Sequence, residues 1–243
     1  MIDFTECRHD VYHVYGGANG SKICVEHQNH LYMLKFPPRS HPKYQTGGYA
    51  NSCISEHIGC QIFKSLGMDA QETLLGTYRL EDGRIKTVVA CQDFTEDGSR
   101  FVPFLDVKNS CLSSDESGAG TELSNILTAL NEQKWMEPER LCGFYWDMFV
   151  VDSLIGNFDR HNGNWGFLID KNNDVRTAPV FDCGSSLYPQ LPVRDYRRVL
   201  DNRDEIDLRL YVRPDSAIHK NGRRLPYLDF LSSGEIGDCS MAL

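Results

Sequence analysis

The segment from Pro138 to Ile155 most limits the folds open to this chain. Leu141, Phe144, Tyr145, Trp146, Met148, Phe149, Val150, Val151, Leu154 and Ile155 put apolar side chains nearly all round a helix, and a helix without a polar face belongs inside a core. Pro138 suits its first turn and Gly156 its stop. The residues that follow are polar: Asn157-Phe158-Asp159-Arg160-His161-Asn162-Gly163-Asn164-Trp165. A buried helix thus delivers a carboxylate, Asp159, with a carboxamide, Asn164, five residues on, and a rigid support of this kind is what catalysis requires.

A second polar cluster, Phe181-Asp182-Cys183-Gly184, places Asp182 23 residues after Asp159. Between the clusters, Trp165 to Ile169 and Val175 to Phe181 flank a Lys171-Asn172-Asn173-Asp174 turn. That pattern predicts a hairpin returning Asp182 to Asp159 and Asn164. Phosphoryl transfer needs a carboxylate to accept a hydroxyl proton, and oxygen ligands from an Asn and a second Asp to hold magnesium on nucleotide phosphates. Taken alone, Asp-Arg-His-Asn also has the composition of a polar turn. The order of the remaining parts favours the chemistry.

The first ninety-odd residues read as a small sheet with one helix. Val11 to Tyr15 and Lys22 to His27 are predicted strands separated by Gly16-Gly17-Ala18-Asn19-Gly20-Ser21. Glycines there permit positive φ and close approach of backbone N–H groups to an anion, although a plain hairpin reads the same way. His30 to Phe36 forms the next strand, ended by Pro37-Pro38, and Lys35 interrupts its apolar run. Asn51 or Ser52 caps a helix to about Leu66, with Gly67 as its stop and Ile54, Ile58, Ile62 and Leu66 as an apolar stripe. Glu56, on the other side, could meet Lys35. Leu74 to Leu80 and Arg84 to Phe94 then form a hairpin across an Asp82-Gly83 turn. The strand end from Ala90 through Gln92 to Asp93 has the character of a hinge whose backbone could bond an adenine.

Beyond these, Ser113 to Gly120 is a turn-rich loop, and Thr121 is placed to cap a helix carrying Leu123, Ile126, Leu127 and Leu130. Leu208 to Val212 reads as either strand or helix, and the final residues to Leu243 look like a chain that continues. A net charge of −9 argues against broad nucleic-acid or membrane-surface binding. Arg194 to Arg198 and Lys220 to Arg224 are the locally basic stretches. Nine cysteines without a Cys-x-x-Cys pair fit free thiols in a reducing cytoplasm. No signal peptide or transmembrane stretch is evident; secretion as an effector is left open. The histidines show no metal-ligand spacing, and no Gly-x-Ser-x-Gly elbow occurs.

With its parts in this order the sequence resembles the HipA-like serine/threonine kinases, particularly the compact CtkA-like members, from about Tyr15 to Leu187. The specific part is Asn157 to Trp165 with Phe181 to Gly184. The resemblance implies an α+β, two-lobed protein-kinase-like fold: an antiparallel N-lobe over 1–94 with one helix, and a mainly helical C-lobe over 95–243. It implies ATP and Mg2+ as cofactors, Asp159 as catalytic base, and Asn164 and Asp182 as metal ligands. Lys35 would contact the α/β-phosphates and pair with Glu56, while Gly16, Gly17 and Gly20, with Ser21, form the phosphate loop. A protein Ser/Thr substrate and an antitoxin-like regulator follow from the same resemblance. The loop begins at Tyr15 rather than the serine whose phosphorylation silences the family's toxins, and Ser21 is the nearby hydroxyl of that type. Two other readings compete: a phosphoinositide-type lipid kinase, whose loops carry a similar Asp-Arg-His-x-x-Asn, and a non-catalytic nucleotide-binding module.

Overall fold

The computed structural model describes residues 1–15, 21–38, 50–112 and 120–237. Strand β3 (Lys22–His27) pairs antiparallel with β4 (His30–Lys35), from Lys22↔Lys35 to His27↔His30. Their two-residue turn puts Gln28 and Asn29 at φ of 51° and 65°, the left-handed pair that matches the twist of a tight hairpin. β5 (Thr73–Arg79) and β6 (Ile85–Gln92) form the expected second hairpin. β6 lies between β5 and β4, giving the order β1-β5-β6-β4-β3-β2, with β1 (Ile2–Asp3) and β2 (Arg8–His9) as short edges. All pairings are antiparallel except β1 with β5.

Alternation along β6 decides what covers each face. Val88 and Ala90 join Phe4, Val25, Leu34 and Phe36 in one apolar core. Val89 and Cys91 point the other way and meet Cys53 of helix α1 (Ser52–Ser65).

Several expectations are corrected here. Val11 to Tyr15 is not a strand: Asp10 Oδ1 accepts the Tyr12 N–H at 3.0 Å, turning the chain, and Val11, Tyr12 and Val14 are exposed. The strand lies earlier, at Arg8–His9, paired with Glu26 and Val25. In α1 the stripe of isoleucines is not the buried face; Ile54 and Ile58 are 37% and 40% exposed and Leu66 is 55% exposed. The helix turns Cys53, Glu56, Gly59, Cys60 and Phe63 inward, residues that also recur at helical spacing. Close approach explains the choice: a Cβ added at Gly59 would lie 2.6 Å from the Cys183 Cβ, so the small-residue face is the one that fits. Asn51 precedes α1 without capping it, because its Nδ2 donates to Leu191 O and to the Tyr196 hydroxyl instead.

The second half is mixed. Helices α2 (Phe104–Cys111), α3 (Leu123–Glu132) and α4 (Pro138–Ile155) accompany a three-stranded sheet of β7 (Arg100–Pro103), β8 (Gly166–Ile169) and β9 (Val175–Thr177). The β8–β9 hairpin falls where the sequence predicts it, while β7 is an additional partner. β8 approaches β7 closely at Gly166, where a Cβ would sit 2.2 Å from Val102 O. Short helices α5 (Tyr196–Leu200) and α6 (Arg203–Asp207) lead into a π-helical turn at Leu208–Val212, then the hairpin β10 (Asp215–Lys220) and β11 (Arg223–Pro226), and α7 (Tyr227–Ser233). The larger core gathers on α4, whose Leu141, Tyr145, Met148, Phe149 and Ile155 are buried with Ile126, Leu130, Phe167 and Phe230. Thr121 does not cap α3; its hydroxyl donates to Ala217 O at 2.7 Å and pairs with the His219 ring, which ties α3 to β10. No helix of the described residues is long and apolar enough to cross a membrane.

Candidate active site

Helix α4 ends as its sequence dictates, with Gly156 at φ 62° and its N–H bonded to Ser153 O. The polar stretch then folds back on the helix. Asn157, fully buried, donates from Nδ2 to Asp152 Oδ1 at 2.8 Å and accepts the Asp159 N–H through Oδ1 at 3.1 Å. Arg160 is buried as well. Its Nε donates to Asp152 Oδ2 at 2.8 Å, and its Nη1 donates to Asn164 O at 2.8 Å and to Phe181 O. One guanidinium therefore joins α4, the loop of Asp159 and the segment entering Asp182. Burial works against the charge of Arg160, and Asp152 offsets it and holds the guanidinium protonated; burial pushes the Asp152 carboxyl up while Arg160 pulls it back.

On this scaffold the side chains converge. Asp159, His161, Asn164, Asp182, Lys35 and Glu56 line one cleft of about 830 Å³, with Phe181 and Asp93 among its other walls. Lys35 Nζ lies 3.0 Å from Asp182 Oδ1 and 3.2 Å from Glu56 Oε1. Desolvation opposes the Lys35 charge, but Asp182 and Glu56 outweigh it and keep the ammonium well above the usual lysine range. The same ammonium is the main reason that Asp182 is held below the ordinary carboxylate value. Burial pushes Asp159 up, His161 opposes that, and Asp182 adds to it. Asp182 adopts φ of 56°, a left-handed conformation that aspartate tolerates better than most residues. Gly184 leaves room for the ion pair, because a Cβ there would stand 3.0 Å from Glu56 Oε2.

The donor chemistry suits a hard cation. Asn164 donates from Nδ2 to Asp159 O at 2.9 Å, which leaves its carbonyl oxygen as the atom for a ligand. Asp182 offers a carboxylate whose side chain is 42% exposed. Carboxylate and carboxamide oxygens are what Mg2+ takes from a protein.

The hinge candidates sit at the end of β6. Ala90 is fully buried between Leu34 and Leu74 in register, Gln92 N donates to Glu72 O, and Asp93 N donates to Leu31 O. A strand inside a sheet has neighbours for its backbone on both sides, so these amides face strands rather than the cleft. Of the candidates Asp93 stands at the cleft wall, followed by Phe94 and Thr95. Ser21 is exposed and accepts the Phe36 N–H through its backbone oxygen at 3.1 Å. Gly16, Gly17 and Gly20 lie outside the described residues. Sequence reasoning missed Asp152, whose signal was a lone carboxylate on the buried side of an apolar helix, and Lys22, which lines the cleft opposite Lys35.

A carboxylate, an Asn–Asp oxygen pair and a strand lysine paired with a helix glutamate, all in one cleft, match the residue set that phosphoryl transfer uses. The profile of the HipA-like C-terminal domain family matches residues 14–220, and the chain belongs to that family. It is 46% identical over its whole length to the serine/threonine-protein kinase CtkA of Helicobacter pylori (strain J99), covering 73% of that protein. It is similar to the crystal structure of a Helicobacter pylori proinflammatory kinase CtkA, with a TM-score of 0.88 at 45% identity over 98% of this chain and 79% of that one. In class, the chain is a kinase.

Proposed function

We propose that this chain is an ATP- and Mg2+-dependent serine/threonine protein kinase that transfers the γ-phosphoryl group to a protein hydroxyl. The observation that carries the reading is Lys35 held between Glu56 and Asp182 in the cleft that Asp159 and Asn164 also line. Asp159 orients the acceptor hydroxyl and takes its proton. A carboxylate raised by burial is a better proton acceptor than an ordinary aspartate. Asn164 and Asp182 would hold Mg2+, which when bound neutralises charge developing on the phosphates. Lys35 would bind the α/β-phosphates and Glu56 would keep its ammonium in place. Gly16, Gly17, Gly20 and Ser21 would contribute backbone N–H groups to the phosphates, and residues 1–94 and 95–243 would close on the nucleotide as two lobes. The relative's name favours a protein acceptor over a lipid one.

The test is phosphate transfer from γ-labelled ATP to a generic protein substrate and to phosphoinositide vesicles in parallel. Label in protein and none in lipid supports the reading. Transfer to lipid alone, or transfer that survives Asp182→Ala, contradicts it.

A further inference from the structure

We propose a transition-metal site of the zinc class built from Asp10, His13 and Cys24, on the two chain segments that flank residues 16–20. One carboxylate oxygen, one ring nitrogen and the thiol sulfur of these residues all lie within 4.8 Å of one another, and no other group of three or more such donors occurs among the described residues. The donor set is mixed, sulfur, nitrogen and oxygen, which zinc accepts with bonds of about 2.0–2.3 Å. Tetrahedral bonds of that length separate donor atoms by roughly 3.5 Å, so closing on an ion asks for a contraction of about an ångström.

The surroundings are those of a ligand site rather than of three adjacent polar residues. The Asp10 N–H donates to Cys24 O at 3.1 Å, which fixes the first segment against β3. Asp10 uses Oδ1 to turn the chain at Tyr12, and this turn brings His13 back over the strand. Asp93 Oδ2 lies 3.0 Å from His13 Nε2. A carboxylate on one ring nitrogen fixes the tautomer and leaves Nδ1 as donor, the usual outer-shell arrangement of metal-binding histidines. Asp93 is itself buried and held through Oδ1 by the Thr95 N–H and hydroxyl at 2.8 and 2.6 Å. The Tyr15 hydroxyl lies 3.5 Å from Cys24 Sγ and donates to Asp93 Oδ2 at 3.0 Å, linking the two shells. With three protein ligands the fourth position is left for water. On binding, the Cys24 S–H bond breaks, the Sγ–metal bond forms, and the proton passes to solvent. No oxidation state changes. This proposal does not depend on the kinase reading.

The test is cobalt(II) titration of the full chain, followed by absorbance, with zinc as competitor. One equivalent should give thiolate-to-cobalt charge-transfer absorption with the visible bands of a tetrahedral ion, and zinc should abolish both. His13→Ala and Cys24→Ser should remove the signal, and Asp93→Asn should weaken binding by about 10–100-fold, as loss of an outer-shell carboxylate does. Circular dichroism checks that Cys24→Ser folds; His13 is partly exposed, so its variant carries the test if Cys24→Ser does not. Cys7→Ser must keep the signal, since Cys7 and His27, 4.0 Å apart, are the neighbouring alternative pair. Absence of the signal at one equivalent, or a signal that survives His13→Ala, would overturn the proposal.

Discussion

Two ion pairs, one lining the cleft and one buried behind it, are built to opposite ends. Arg160 and Asp152 are both buried, and the guanidinium bonds to protein groups: a carboxylate, two backbone carbonyls and, at 3.5 Å, the Cys183 sulfur. Lys35 and Asp182 are nearly as close, at 3.0 Å, but the Asp182 side chain stays 42% exposed. The first pair has nowhere else to go and fixes the shape of the loop. The second has a partner that solvent, and hence a metal–nucleotide complex, can reach. A buried pair contributes to a site mainly by what its removal leaves uncompensated, so the two should fail in different ways.

The largest expected effect is on turnover alone. Asp159→Asn should lower phosphate transfer by about 10²–10⁴-fold, the usual worth of a positioned base, as measured by labelling from γ-labelled ATP. Stability should not fall with it. Because burial raises the folded-state pKa of Asp159, its stabilising contribution is present below the unfolded value and is lost as pH rises through the folded one. At neutral pH the charged carboxylate is therefore a net cost, and the variant should melt no earlier than the parent. The same shift places the acid limb of the activity profile above the ordinary aspartate value of 3.8, since transfer needs the ionised base.

Arg160→Met should do the reverse and act first on the fold, costing about 3–5 kcal/mol by leaving Asp152 charged and buried, which chemical denaturation would measure. Gly59→Ala is expected to be milder, about 1–3 kcal/mol, because its new Cβ must displace Cys183. The same substitution should lower transfer, since Cys183 follows Asp182. Smallest of all, Ile58→Ala on the exposed stripe should change stability by less than about 0.5 kcal/mol, whereas Phe63→Ala on the buried face should cost about 3–5 kcal/mol. Equal losses at the two positions would show that α1 packs on its isoleucines after all.

That last pair marks where the sequence was legible. Helix α4 could be read because its apolar run and the Gly156 stop set its bounds, but the expectation that it is buried all round is corrected: Gly143, Asp147, Val150 and Leu154 form one exposed face. The β8–β9 hairpin was legible from its Asn-rich turn. In α1 both faces carry a helical period, and hydrophobicity alone picked the isoleucines. The fit of Gly59 against Cys183 decided otherwise, a contact between residues far apart in sequence. The segment from Val11 to Tyr15 looked like strand by composition, but the Asp10 side chain bonds the backbone locally and turns it. That Asp159, Asn164, Asp182, Lys35 and Glu56 meet in one cleft was legible from their order along the chain. Asp152, which holds Arg160, was passed over inside an apolar run.

The central claim is that Lys35 and Asp182 are the nucleotide-facing pair and that Asp159 acts only on the acceptor. Calorimetric titration with Mg-ATP, run beside single-turnover transfer on the same preparations of parent, Asp159→Asn and Asp182→Asn, tests it most directly. The account predicts that Asp159→Asn binds Mg-ATP as the parent does yet does not transfer, while Asp182→Asn loses both. Full transfer by Asp159→Asn, or undiminished Mg-ATP binding by Asp182→Asn, would contradict it.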